Sequence, residues 1–129
     1  MKKLAVLALV PAALAALAVP AGASVPTTRT TQTVPCAAGH QSATFVEKWQ
    51  GGAVTKSWYT NPCAGEFLWL GGCNGESDCS ADAAPPKTKG HLTYGADFAV
   101  LVPGPLCSTG TTPVTRLGDK HPAPPCPGS

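Results

Sequence analysis

Six cysteines, at positions 36, 63, 73, 79, 107 and 126, constrain this chain more than any other feature. An even number spread over so short a sequence reads as three disulfides formed in an oxidising compartment, and hence as a small, loop-rich, stapled fold. Six cysteines allow fifteen pairings. The least entangled joins neighbours: Cys36 with Cys63, Cys73 with Cys79, and Cys107 with Cys126. Each bridge is expected to contribute about 2 to 5 kcal/mol, largely by restricting the unfolded chain. Metal is the rival use of cysteine. Cys73 and Cys79 are too far apart for a zinc knuckle, there is no second knuckle, and His40, His91 and His121 are each isolated, so neither a metal nor another cofactor is expected.

The N-terminus supports the same compartment. Lys2-Lys3, an apolar run from Leu4 to Val19 and the small-residue stretch Ala21-Gly22-Ala23 have the order of a secretory signal peptide, residues 1 to 23. The run is short for a bilayer and is interrupted by Pro11, so no membrane association is expected once it is removed. No cysteine follows it closely enough for a bacterial lipoprotein. The product expected is a secreted, extracellular monomer. Ser24 to Pro35 (SVPTTRTTQTVP) is Thr-rich without apolar periodicity and reads as a flexible leader, which leaves residues 36 to 129 as one domain.

The whole chain has nine Lys and Arg against seven Asp and Glu, and Lys2 and Lys3 leave with the signal. The balance that remains is neutral. Lys87 and Lys89 are the only close basic pair, so the linear sequence shows no patch that would neutralise phosphates, and nucleic acid is not an expected partner.

Strand signals dominate the rest of the chain. TFVEKWQ, Gly51-Gly52 and AVTKSWYT read as a hairpin over 44 to 60 around a two-residue turn. Counting outward from that turn pairs Gln50 with Ala53, Trp49 with Val54, Glu47 with Lys56 and Phe45 with Trp58. With side chains alternating, one face then carries Phe45, Glu47, Trp49, Val54, Lys56 and Trp58. Glu66 to Leu70 has no polar alternation after Phe67 and suits a central strand covered on both faces. Ser80 to Gly90 reads as a loop. Asp97 to Val102 is a further strand, with a short one at His91 to Tyr94 ahead of it. The Pro-rich segment from Pro103 onward is expected to be an irregular wrap held by Cys107 and Cys126. The fold class is therefore a small all-β, disulfide-stapled single domain.

Two sets of residues present themselves as binding sites. The first is the loop between Cys73 and Cys79, with Gly72, Asn74, Gly75, Glu76 and Asp78; a loop pinned by a bridge meets a partner with its ordering entropy already spent in folding. The second is an aromatic face of Phe45, Trp49, Trp58 and Tyr59, suited to a polysaccharide or cell surface. The stretch CAGEFLWLGGCNG resembles the C-x-x-F-x-Y-G-G-C-x-G segment of Kunitz-type protease inhibitors at Phe67, Trp69, Gly71, Gly72, Cys73 and Gly75. The cysteine spacing departs on both sides, so no residue role carries over. Asn74, Glu76, Asp78 and Asp82 lack the spacing of an EF-hand.

No hydrolase signature is present, and His91 with Asp97 is the one acid–base combination to name. The function expected is non-catalytic binding of an extracellular partner through pinned loops, as in a protease inhibitor or effector. The alternatives are a carbohydrate or cell-surface module using the aromatic face, or a structural envelope component.

Overall fold

The computed structural model describes residues 25–75 and 78–128. The stretch read as a signal peptide, residues 1 to 23, and Glu76 lie outside the described residues. Eight strands follow in order: β1 (Thr27–Pro35), β2 (Ser42–Gln50), β3 (Ala53–Asn61), β4 (Glu66–Cys73), β5 (Cys79–Ala84), β6 (Thr88–Leu92), β7 (Phe98–Pro103) and β8 (Val114–Arg116). They form two four-stranded sheets, β1-β2-β3-β6 and β7-β4-β5-β8. All the pairings are antiparallel except β5 with β8. The fold is all-β, and its cysteines are joined in the neighbour pairing: Cys36–Cys63, Cys73–Cys79 and Cys107–Cys126.

The β2–β3 hairpin turns where the two glycines predict. Gly51 and Gly52 both have positive φ (62° and 80°), which two-residue hairpin loops require and β-branched residues resist. Its register departs from a simple outward count. Trp49 pairs with Val54, but Lys48 pairs with Lys56, so Thr55 is an extra residue in a β-bulge. A bulge reverses side-chain parity beyond it. Phe45 therefore faces Tyr59 rather than Trp58, and Glu47 faces Ser57 rather than Lys56.

Three further expectations are corrected. Thr27–Pro35 is not a flexible leader but an edge strand, with all nine residues paired to β2; its threonines are β-branched and favour extended backbone even without apolar alternation. The stretch read as a loop from Ser80 to Gly90 contains most of β5 and part of β6. Its alanines gave no strand signal, yet Ala81, Ala83 and Ala84 are all buried. The strand placed at His91 to Tyr94 is the C-terminal part of β6, shifted toward Thr88.

The core lies between the sheets, where Ala43, Phe45 and Tyr59 meet Leu68, Leu70 and Ala84. Burying each large side chain stabilises the fold by about 1.5 to 3 kcal/mol. Asn61, fully buried at the end of β3, stitches strands together there: its Nδ2 donates to the carbonyls of Glu66 (2.9 Å), Ala84 (3.1 Å) and Pro85 (3.1 Å), and its Oδ1 accepts the Cys63 N–H.

The other face of β4 is covered as well. Trp69 packs with Ala81, Ala83 and Val114, with Phe67, Phe98 and Leu106 around them. The C-terminal segment supplies part of this cover. It is held by the Cys107–Cys126 bridge and by buried Ser108, whose hydroxyl donates to the Ala123 carbonyl (2.7 Å) and accepts the Val114 N–H (3.0 Å). The segment also adds β8, so it contributes three residues of ladder rather than only a wrap.

Candidate functional site

At one end of the sandwich the inner face of the second sheet is left open, forming a cleft of about 380 Å³. The register builds its wall: Leu70 pairs with Asp82, Gly72 with Ser80, and Asp82 with Thr115. Side chains at paired positions share a face, so these residues line one surface. The loop between β6 and β7 supplies the opposite wall with Tyr94, Gly95 and Asp97.

That loop is bolted to both sheets. Glu47, 5% exposed on the inner face of the first sheet, accepts the Ala96 N–H at 2.9 Å and the Thr30 hydroxyl at 3.3 Å. The fully buried Ser57 hydroxyl donates to the Tyr94 carbonyl at 2.5 Å, and the Asp97 N–H donates to the Gly71 carbonyl at 2.7 Å. A Cβ at Gly95 would sit 2.5 Å from the Glu47 Oε2 and 2.8 Å from the Val54 Cγ2, so a side chain there would displace the Glu47 carboxylate from the loop. A buried carboxylate without partners would be costly; Glu47 instead places the loop.

Within the cleft the Tyr94 hydroxyl donates to Asp82. Burial, then the hydrogen bond to Asp82, then the carboxylate charge all push the Tyr94 hydroxyl above the ordinary tyrosine value, so it stays a protonated donor. Asp97 is different. Its carboxylate lies beside Gly72, where a Cβ would come within 3.0 Å of Oδ2, and among the described residues it accepts no hydrogen bond. Asn74, at the start of the turn closed by Cys73–Cys79, completes the rim.

The loop residues singled out from sequence divide here. Gly72 and Asn74 line the cleft, Gly75 and Asp78 do not, and the Asn74 N–H bonds the Asp78 carbonyl to close the turn. Sequence reasoning missed Asp82 and Tyr94 as a pair, and the buried Glu47 and Ser57 behind them. A carboxylate in mid-strand was the available signal for Glu47.

The aromatic set does not form a face. Phe45 and Tyr59 are core residues, Trp49 is on the inner side at the rim, and the bulge turns Trp58 to the outer side of the first sheet. His91 stands beside Trp58 on that outer side, whereas Asp97 is in the cleft, so the two do not converge.

The same bulge assembles something the linear sequence did not show. Arg29 pairs with Lys48 and Lys48 with Lys56, which sets three cations in one row across β1, β2 and β3. The next row is Thr31, Val46, Trp58 and His91, and the one after is Thr33, Thr44, Thr60 and Lys89. The four strands contain one carboxylate, Glu47, and it points inward. The expectation that no basic patch exists is thereby corrected: cations 8 and 19 residues apart in sequence become neighbours about 5 Å apart on adjacent strands. The Arg29 guanidinium lies 5.2 Å from the centre of the Trp58 ring, a cation–π contact.

Among the described residues, one grouping, Cys36, Cys63 and Glu66, has the proximity a metal needs. The two sulfurs are bonded to each other, and the Glu66 carboxylate accepts the Ala37 N–H at 3.1 Å, so the group is already satisfied. No family model, curated protein or solved structure matches the chain.

Proposed function

We propose that this chain is a non-catalytic secreted binding protein, and that its cleft receives a basic side chain from an extracellular partner protein. The observation that carries this reading is the Asp97 carboxylate, unengaged within the described chain, in a cleft already holding Asp82 and Tyr94. A carboxylate that accepts a guanidinium or ammonium makes a charge-assisted hydrogen bond worth about 1.5 to 3 kcal/mol. The concave shape favours receiving a side chain. No histidine lines the cleft and all six cysteines are bridged, which favours binding over nucleophilic chemistry.

The test is titration of the mature chain with acetylated, amidated peptides that differ only in a central Arg, Lys or Gln. Binding of the basic peptides that falls at least tenfold in Asp97→Asn, with no change in thermal midpoint, is the expected result. Equal binding of all three peptides, or an unaltered affinity in the variant, would refute it.

A further inference from the structure

The outer face of the first sheet is chemically unlike the rest of the molecule, and nothing in the cleft reading uses it. Its cations are not balanced locally. Lys48 is flanked by Arg29 on one side and Lys56 on the other, and like charges directly opposite in a ladder destabilise it. No carboxylate shares the face. An anionic partner would turn that repulsion into attraction.

The uncharged residues narrow the partner. Behind the cationic row, Thr31, Thr33, Thr44 and Thr60 stand in adjacent register positions, and among the described residues their hydroxyls have no hydrogen-bond partner. A rank of free hydroxyls can donate to and accept from the hydroxyls of a sugar polymer. The face carries two aromatic rings, Trp58 and His91, with centroids 6.2 Å apart and tilted by 47°, and Trp58 already carries the Arg29 guanidinium. Trp58 therefore serves to hold that fork in place, and a preorganised guanidinium loses less entropy on pairing with a carboxylate or sulfate. Single-stranded nucleic acid is bound by stacking successive bases on several rings, and this face offers one tilted pair, of which Trp58 is already covered by Arg29.

We infer that this face docks on an acidic polysaccharide. The anionic groups pair with Arg29, Lys48 and Lys56, and the sugar hydroxyls meet the threonine ranks. The face is separate from the cleft, so the protein would present its basic-residue receptor while attached to an anionic sugar matrix.

The experiment measures binding of the full mature chain to polygalacturonate, with neutral dextran and an oligothymidylate of matched charge as comparisons. Polygalacturonate should bind, dextran should not, and the oligothymidylate should bind at least tenfold more weakly. The double variant Lys48→Gln/Lys56→Gln should lose at least tenfold in affinity for polygalacturonate. Lys120→Gln, off the face, and Asp97→Asn, in the cleft, should leave it unchanged. Because Lys56 is exposed, and Lys48 partly so, on an edge-proximal hairpin, the double variant should melt no earlier than the wild type. The inference is overturned by retained affinity in the double variant, by oligothymidylate binding as tightly as polygalacturonate, or by no polygalacturonate binding at all.

Discussion

Lys48 stands directly opposite Lys56 in the β2–β3 ladder, and Arg29 stands opposite Lys48 on its other side. The bulged Thr55 is responsible for the first of these pairings, because it moves Lys56 away from Glu47 and onto the outer face. Glu47 is thereby freed to fix the loop that walls the cleft. One extra residue thus separates the charges of the hairpin: it turns Lys56 out to join Lys48, while Glu47 keeps the inward side that Phe45 shares on β2.

The repulsion is measurable in the isolated protein. Lys56→Glu puts opposite charges across the ladder at position 48 and should raise stability by about 0.2 to 1 kcal/mol. Urea denaturation at low salt is the measurement, and the gain should shrink as salt is added. A variant less stable than wild type at low salt would mean that the two lysines do not face each other.

Gly51 and Gly52 take backbone conformations that L side chains avoid. The double change Gly51→Val/Gly52→Val should cost about 1 to 2 kcal/mol per position. Gly51→Asn should be tolerated, because asparagine accepts the left-handed region in such turns. Thermal melts of the two variants that coincide would argue against the turn.

Gly71 marks a close approach in the second sheet. A Cβ there would lie 2.5 Å from the Ser80 carbonyl oxygen and would collide with the Phe98 ring. Gly71→Ala should therefore fail to accumulate or melt well below the wild type, whereas Gly110→Ala, where a Cβ meets nothing within 4 Å, should behave normally. Secretion yield and melting temperature separate the two.

Tyr94 predicts an alkaline limit to stability. Its hydroxyl holds its proton more tightly in the folded chain than in the unfolded one. The corresponding stabilisation is complete below the unfolded tyrosine value of about 10 and is lost as pH rises through the folded value. Urea midpoints between roughly pH 8 and 11 should fall more steeply for the wild type than for Tyr94→Phe. Parallel curves would show that the Asp82 contact does not protect the hydroxyl.

Much of the architecture was legible in the residues because it rests on local chemistry. Cysteine count, the Gly-Gly turn and the apolar run at 66 to 70 each act over a few residues, so three bridges, the hairpin and the central strand could be read directly, whereas which cysteines pair came only from the structure. β1 and β5 could not, because threonine-rich and alanine-rich stretches acquire strand character only when a neighbouring strand pairs with them. The site was less legible still. Gly72 and Asn74 were found through the Cys73–Cys79 turn, but Asp82, Tyr94 and Asp97 meet only because two sheets close on each other.

By itself, then, the sequence determined a stapled all-β chain with its turn glycines and its three bridges, since backbone sterics are local and an even cysteine count needs no tertiary information. Tertiary structure decided which way the side chains face. Parity along a strand is reversed by a single bulged residue, and whether Thr55 is bulged depends on what both faces of the sheet gain: Phe45, Glu47 and Tyr59 buried inside, Lys56 and Trp58 turned out. That balance between packing and solvation is struck over the whole sandwich, so no count along the chain could supply it.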